Sequence, residues 1–141
     1  MKSLLLIAAM ALAAPVQAQA PVRREVETLL ADMVSAFRAN PSGVAKFYAD
    51  DAMIAGGRMR ITGRDAVDKY WAGVAGYTDW KLEVIEVGDG TTPWVRGIST
   101  LVGAERNSVT EFLGLLKRGA DGKLRFYVDM YISAAPPPAR P

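Results

Sequence analysis

The chain contains no histidine and no cysteine, so any acid, base or nucleophile must come from carboxylates, Tyr, Lys, Arg and Ser. Histidine triads, cysteine nucleophiles and the usual zinc ligand sets are thereby excluded. Two acids stand inside alternating apolar segments, Glu111 in "SVTEFLGLLKR" and Asp129 in "KLRFYVDMYIS". Between them lies "GADG", which reads as a turn with a loop of Ala120, Asp121 and Gly122 and with Gly122 in a left-handed position. A loop of odd length puts odd-numbered residues of both strands on one face. Glu111 then falls near Tyr131 and diagonal to Asp129, with the carboxylates roughly 7 Å apart. In an enclosed apolar site, burial and mutual repulsion both disfavour the second negative charge, so one acid stays protonated and the pair supplies an acid and a base at neutral pH. Tyr127, Tyr131 or Tyr70 would be the donor beside them. A four-residue loop would instead separate the two acids onto opposite faces, and a charged pair of this kind can equally be structural.

The elements that would position these residues follow from periodicity. In "PVRREVETLLADMVSAFRANP", Val26, Leu29, Leu30, Met33, Val34 and Phe37 share one stripe at the 3.6-residue period, and Asn40-Pro41 ends the helix. Ser42 is a candidate cap for a shorter helix carrying Val44, Phe47 and Tyr48. "FYADDAMIAGGRMRITGRDAVDKYW" reads as a helix end, a strand, a glycine turn, a second strand and a new helix. In that helix Thr62 and Asp65 have capping-box spacing, and Val67, Tyr70, Trp71 and Val74 form the apolar face. Asp50 and Asp51 read as turn residues at the start of the first strand. From Trp80 the period becomes two. In "DWKLEVIEV" the apolar phase slips once, which predicts a β-bulge near Val84-Ile85 and a bent strand. Four long strands in a meander follow from the turns "GDGTTP", "GAERN" and "GADG".

With 141 residues there is room for one domain. Met1 and Lys2, the apolar run "LLLIAAMALAA" and the small residues of "VQA" predict a secretory signal peptide over residues 1–18, cut after Ala18 so that Pro21 does not follow the scissile bond. The mature chain would begin at Gln19, be periplasmic or secreted, and have no stable membrane insertion; an uncleaved anchor is the other possibility. Without Lys2 the balance of 17 basic and 15 acidic residues becomes 16 and 15. Basic residues are scattered and not interleaved with aromatics, which argues against nucleic acid as a partner. Residues 134–141, "AAPPPARP", read as a disordered Pro-rich tail, leaving 19–133 as the domain. Helices first, then a curled antiparallel sheet, is an α+β arrangement.

The stretch "FYADDAMI" followed by "GGRMRITGRDAVDKYW" resembles the ketosteroid-isomerase-like and polyketide-cyclase-like (SnoaL-like) members of the nuclear transport factor 2-like superfamily, over roughly residues 24–133. The resemblance implies a cone in which a bent sheet wraps three helices around an apolar pocket, often as a homodimer through the outer face of the sheet. The isomerases' catalytic residues do not carry over. Aligned on Tyr48-Ala49-Asp50-Asp51, their helical tyrosine falls on Met33 and their general-base aspartate on Gly56. Counted back from "RGADGK", their oxyanion-donating aspartate falls on Leu113. The cyclases' acid and base pair normally includes a histidine, which is absent here.

If Leu113 faces the pocket, period two brings Val109, Glu111 and Leu115 with it. In the last strand the isomerases' pocket phase falls on Tyr127, Asp129 and Tyr131, leaving Phe126, Val128, Met130 and Ile132 outside, where a second subunit would cover them. The opposite facing would put the apolar phase against the helices. Trp71, Trp80 and Trp94 read as core or as ligand platforms, and Arg96 as a pocket counterion or an edge charge. The candidate pocket is therefore Tyr70, Trp71, Trp94, Arg96, Leu113, Tyr127 and Tyr131, with Glu111 and Asp129 as candidate catalytic acids. Two functions are open: a protein that binds a small hydrophobic molecule without changing it, and a carboxylate-dependent lyase, isomerase or cyclase. Neither requires a metal or a cofactor.

Overall fold

The computed structural model describes residues 19–74 and 76–133; the signal peptide and Pro-rich tail read from the sequence lie outside the described residues. Helix α1 (Gln19–Ala39) buries Val26, Leu29, Leu30, Met33 and Phe37, the stripe that its periodicity marks. A 3-10 helix (Pro41–Phe47) follows, capped by Asn40, whose side chain accepts from the Ser42 backbone N–H at 3.2 Å. The cap is therefore Asn40 and not Ser42, because the Asn oxygen reaches the first free N–H.

Strands β1 (Tyr48–Gly56) and β2 (Met59–Thr62) form a hairpin in which Gly56 pairs with Met59 across Gly57, at φ 58°. Asp50 and Asp51 lie within β1, exposed. Helix α2 (Arg64–Gly73) starts from Gly63 at φ 89° without a side-chain cap, so the Thr62 capping box does not form. Arg64 does the anchoring. Its guanidinium donates to the Ala45 and Tyr48 carbonyls at 2.6 and 2.7 Å and pairs with Asp50 at 2.9 Å, tying the start of α2 to the end of the 3-10 helix. That is a physical reason for an arginine directly after the glycine.

The remaining strands are β3 (Tyr77–Gly88), β4 (Trp94–Gly103), β5 (Ser108–Arg118) and β6 (Leu124–Ser133). They form an antiparallel meander within an open six-stranded sheet of order β2-β1-β6-β5-β4-β3, joined to the β1-β2 hairpin by a parallel pairing of β1 with β6. The register of β3 against β4 shifts between Val84 and Glu86, which is the bulge the slipped apolar phase predicts. Curvature also needs room on the inner face, and glycines supply it. A Cβ at Gly97 would come within 2.7 Å of the Phe112 ring, and one at Gly114 within 2.3 Å of the Phe126 ring. These rings lie across bare backbone and fill the concave side.

A second irregularity changes which residues face inward. Leu116 pairs with Phe126 but Leu115 pairs with Val128, so Tyr127 is an extra residue in β6. Phe126 is buried inside, the phase switches at Tyr127, and Asp129 and Tyr131 point inward while Met130 and Ile132 are exposed on the outer face. The loop is the expected odd one, with Gly122 at φ 76° and a Gly119 N–H to Lys123 carbonyl bond of 2.9 Å. The parity it sets holds only as far as Phe126.

Candidate functional site

The concave face of the sheet, α1 and α2 enclose a cavity of about 280 Å³. Leu30 and Met33 reach it from α1, Tyr70 and Trp71 from α2. The sheet contributes Trp80 and Leu82 from β3, Ser99 and Leu101 from β4, Thr110 and Phe112 from β5, and Phe126, Asp129 and Tyr131 from β6. Tyr48 from β1 and Tyr77 from β3 also line it. Trp71 is the hub of the aromatic wall, with its ring centroid 5.1 Å from Trp80, 5.3 Å from Tyr70 and 6.2 Å from Tyr48. Trp80 donates through Nε1 to Ser99 Oγ at 2.9 Å. Trp71 Nε1 is buried without a partner in hydrogen-bond geometry.

Asp129 is the one carboxylate in this lining, and no Lys or Arg stands there with it. Its Oδ2 accepts from the Tyr48 hydroxyl at 2.7 Å. Burial raises the Asp129 carboxyl to about 6, against the opposing pull of the Tyr48 bond, so it titrates just below neutrality. Tyr48 is pushed well above the ordinary phenol range, first by burial and then by the negative charge of Asp129. Tyr70 is also raised, by burial and then by the neighbouring Tyr131 hydroxyl, with smaller contributions from Asp129 and Tyr77. Both phenols are therefore neutral hydrogen-bond donors at physiological pH.

Of the residues singled out from the sequence, Tyr70, Trp71, Asp129 and Tyr131 come together around the cavity. Glu111, Leu113, Tyr127, Trp94 and Arg96 do not. Glu111 pairs across the ladder with Ile132 on the outer face and forms a 2.8 Å ion pair with Arg96, so Arg96 is an outer-face counterion. Leu113, opposite Met130 and Arg96, shares that face with Val109 and Leu115. Trp94 folds its indole over Gly88. Tyr127 is exposed beneath the Lys117 ammonium, 4.6 Å from the ring centroid. Regular alternation in β5, with Phe112 and Leu116 inside, keeps Glu111 and Leu113 outside, and Trp94 and Arg96 follow them across the β4 ladder; the bulge at Tyr127 then reverses the phase of β6 and turns Asp129 inward, so Asp129 and Glu111 fall on opposite faces and no carboxylate pair forms. Gly56 lies directly under Tyr131, whose ring would come within 2.6 Å of a Cβ there. Tyr48 escaped attention because it read as part of a helix's apolar face; its spacing from Asp129 along the chain carries no signal.

No family model matches the chain, and no curated protein matches it. Solved structures do. A ketosteroid isomerase-like protein from Erwinia carotovora atroseptica superposes with a TM-score of 0.67 at 22% identity, covering 80% of this chain and 96% of its own. An NTF-2 like protein of unknown function from Shewanella oneidensis gives 0.70 at 13% identity, over 79% of this chain and 99% of its own. This chain has the NTF2-like fold. ActVI-ORFA from Streptomyces coelicolor agrees, at 0.65 and 13% identity over 81% and 98% of the two chains. The likeness is one of fold, and the residues that line the pocket are this chain's own.

Proposed function

We propose that the protein binds a small hydrophobic molecule inside the cone. The observation that carries this reading is the cavity itself, about 280 Å³ walled by aromatic and aliphatic side chains with a few polar groups at defined places. At about 30 Å³ per water molecule in the liquid, that volume corresponds to roughly nine waters, and at the tighter packing of an organic ligand to somewhat more non-hydrogen atoms. Native mass spectrometry of the gently purified protein tests the reading. A small organic adduct that is lost on denaturation is expected. The apoprotein mass alone, together with no change in Trp71 and Trp80 fluorescence when apolar probes are added, would refute it.

A second reading is favoured by one further observation, the Asp129 carboxyl at about 6 inside that cavity. An acid poised near neutrality suits proton transfer in a lyase, isomerase or cyclase, with Asp129 as the base and Tyr70 or Tyr131 as the donor. Glu111 has no part in it. Two properties of the assembly and compartment belong to the same proposal. The outer sheet face exposes Ile85, Val109, Met130 and Ile132, which supports a homodimer through that face. The signal-like composition of residues 1–18 supports export to the periplasm or medium, and N-terminal sequencing of the exported protein should return Gln19.

A further inference from the structure

The cavity combines two features. Its wall is a run of aromatic faces, Tyr70, Trp71, Tyr77, Trp80 and Tyr131, and set among them is a single carboxylate with no cationic partner. Asp129 Oδ2 is held by Tyr48, while Oδ1 receives no hydrogen bond from any described residue and is not among the atoms sealed from the cavity. The titratable groups that share the cavity with it are the hydroxyls of Tyr48 from β1, Tyr70 from α2, Tyr77 from β3 and Tyr131 from β6, none of them a cation. The ion pairs of Arg96 with Glu111 and of Lys117 with Asp51 involve no residue of the cavity lining.

Resting on the binding reading above, we propose that the molecule this pocket takes is a small organic cation, a protonated or quaternary amine with apolar substituents, seated against Asp129 Oδ1 and the surrounding aromatic faces. An uncharged ligand without a hydrogen-bond donor would strip water from an ionised carboxylate and give nothing back, a neutral donor would offset only part of that cost, and an anion would add repulsion to it. A cation compensates the carboxylate and is attracted by the negative faces of the indole and phenol rings, most strongly where water is excluded. The aliphatic residues Leu30, Met33, Leu82 and Leu101 receive the apolar substituents.

Benzyltrimethylammonium and neopentylbenzene have the same shape and differ in a quaternary nitrogen replacing a quaternary carbon, so the pair isolates the charge. Titration of the full chain, followed by Trp71 and Trp80 fluorescence, should show the cation binding at least tenfold tighter than the hydrocarbon at pH 7.5. Because the cation's charge is permanent, its affinity should fall about tenfold by pH 5 as the carboxyl at about 6 takes up a proton. Asp129→Asn should bring its affinity down to that of neopentylbenzene, leaving the hydrocarbon's own affinity unchanged or higher; the pH series on the unaltered protein gives an independent measurement should that variant fold poorly. Equal binding of both probes, or cation binding that is insensitive to pH and to the substitution, overturns the cation assignment and leaves the binding reading standing. Binding of neither overturns both.

Discussion

Replacing Asp129 with Asn should make the protein more stable at neutral pH and leave its stability almost unchanged in acid. The folded-state carboxyl titrates at about 6, raised from 3.8. A raised acid binds more protons folded than unfolded between those two values, so its contribution to stability declines as pH rises through that window. Below about pH 4 both states are protonated and the residue is nearly neutral in effect; above about pH 6.5 the full penalty of the buried charge is present. A shift of about two pKa units corresponds to at most roughly 3 kcal/mol. Asp129 is only half-buried, so water in the cavity offsets part of this, and about 2 kcal/mol is the working figure. Asn has the same shape and keeps an oxygen for the Tyr48 hydroxyl. Urea unfolding of both proteins at pH 7.5 and pH 4 measures the difference, with pH effects of the surface acids common to the two. An increase of about 2 kcal/mol at pH 7.5, or roughly 8 °C in Tm for a domain of this size, should shrink to within about 0.5 kcal/mol at pH 4. A destabilised variant at pH 7.5, or a difference independent of pH, would refute the account of Asp129 as a buried, unpaired acid.

Tyr48→Phe removes the one hydrogen bond that favours the Asp129 carboxylate, so carbon NMR titration should place that carboxyl higher than in the parent; an unchanged or lower value would contradict the 2.7 Å bond. Gly114→Ala forces a Cβ against the buried Phe126 ring and should cost about 1–3 kcal/mol in urea unfolding through overpacking. Arg64→Met leaves the Ala45 and Tyr48 carbonyls without their charged donor and should destabilise by about 2 kcal/mol, whereas Glu111→Gln should leave ligand binding unchanged. Ile132→Glu puts a charge in the centre of the proposed dimer face, and light scattering should then report a monomer where the parent is a dimer.

The features legible along the chain are local and periodic. The buried stripe of α1, the glycine turn between β1 and β2, the apolar face of α2 and the bulge at Ile85 were all legible because each is written as a spacing among neighbouring residues. The "FYADDAMI" and "GGRMRITGRDAVDKYW" stretches pointed to the fold for a related reason. Arg64, directly after Gly63, ties the start of α2 to the end of the 3-10 helix. The composition of the pocket was decided only by tertiary structure. Two strands of strict alternation give two possible facings, and a single extra residue in one of them lets part of each occur. No pattern in "KLRFYVDMYIS" reveals that Tyr127 bulges, because the gain comes from afar: Phe126 lies across the bare backbone of Gly114, and Tyr127 is left under Lys117. That one shift brought Asp129 and Tyr131 into the site, while Glu111, on the regularly alternating β5, stays outside it. Tyr48, the partner of Asp129, was hidden for the same reason. The two residues meet only because β1 and β6 run parallel side by side, a pairing between segments some eighty residues apart that only the folded sheet creates.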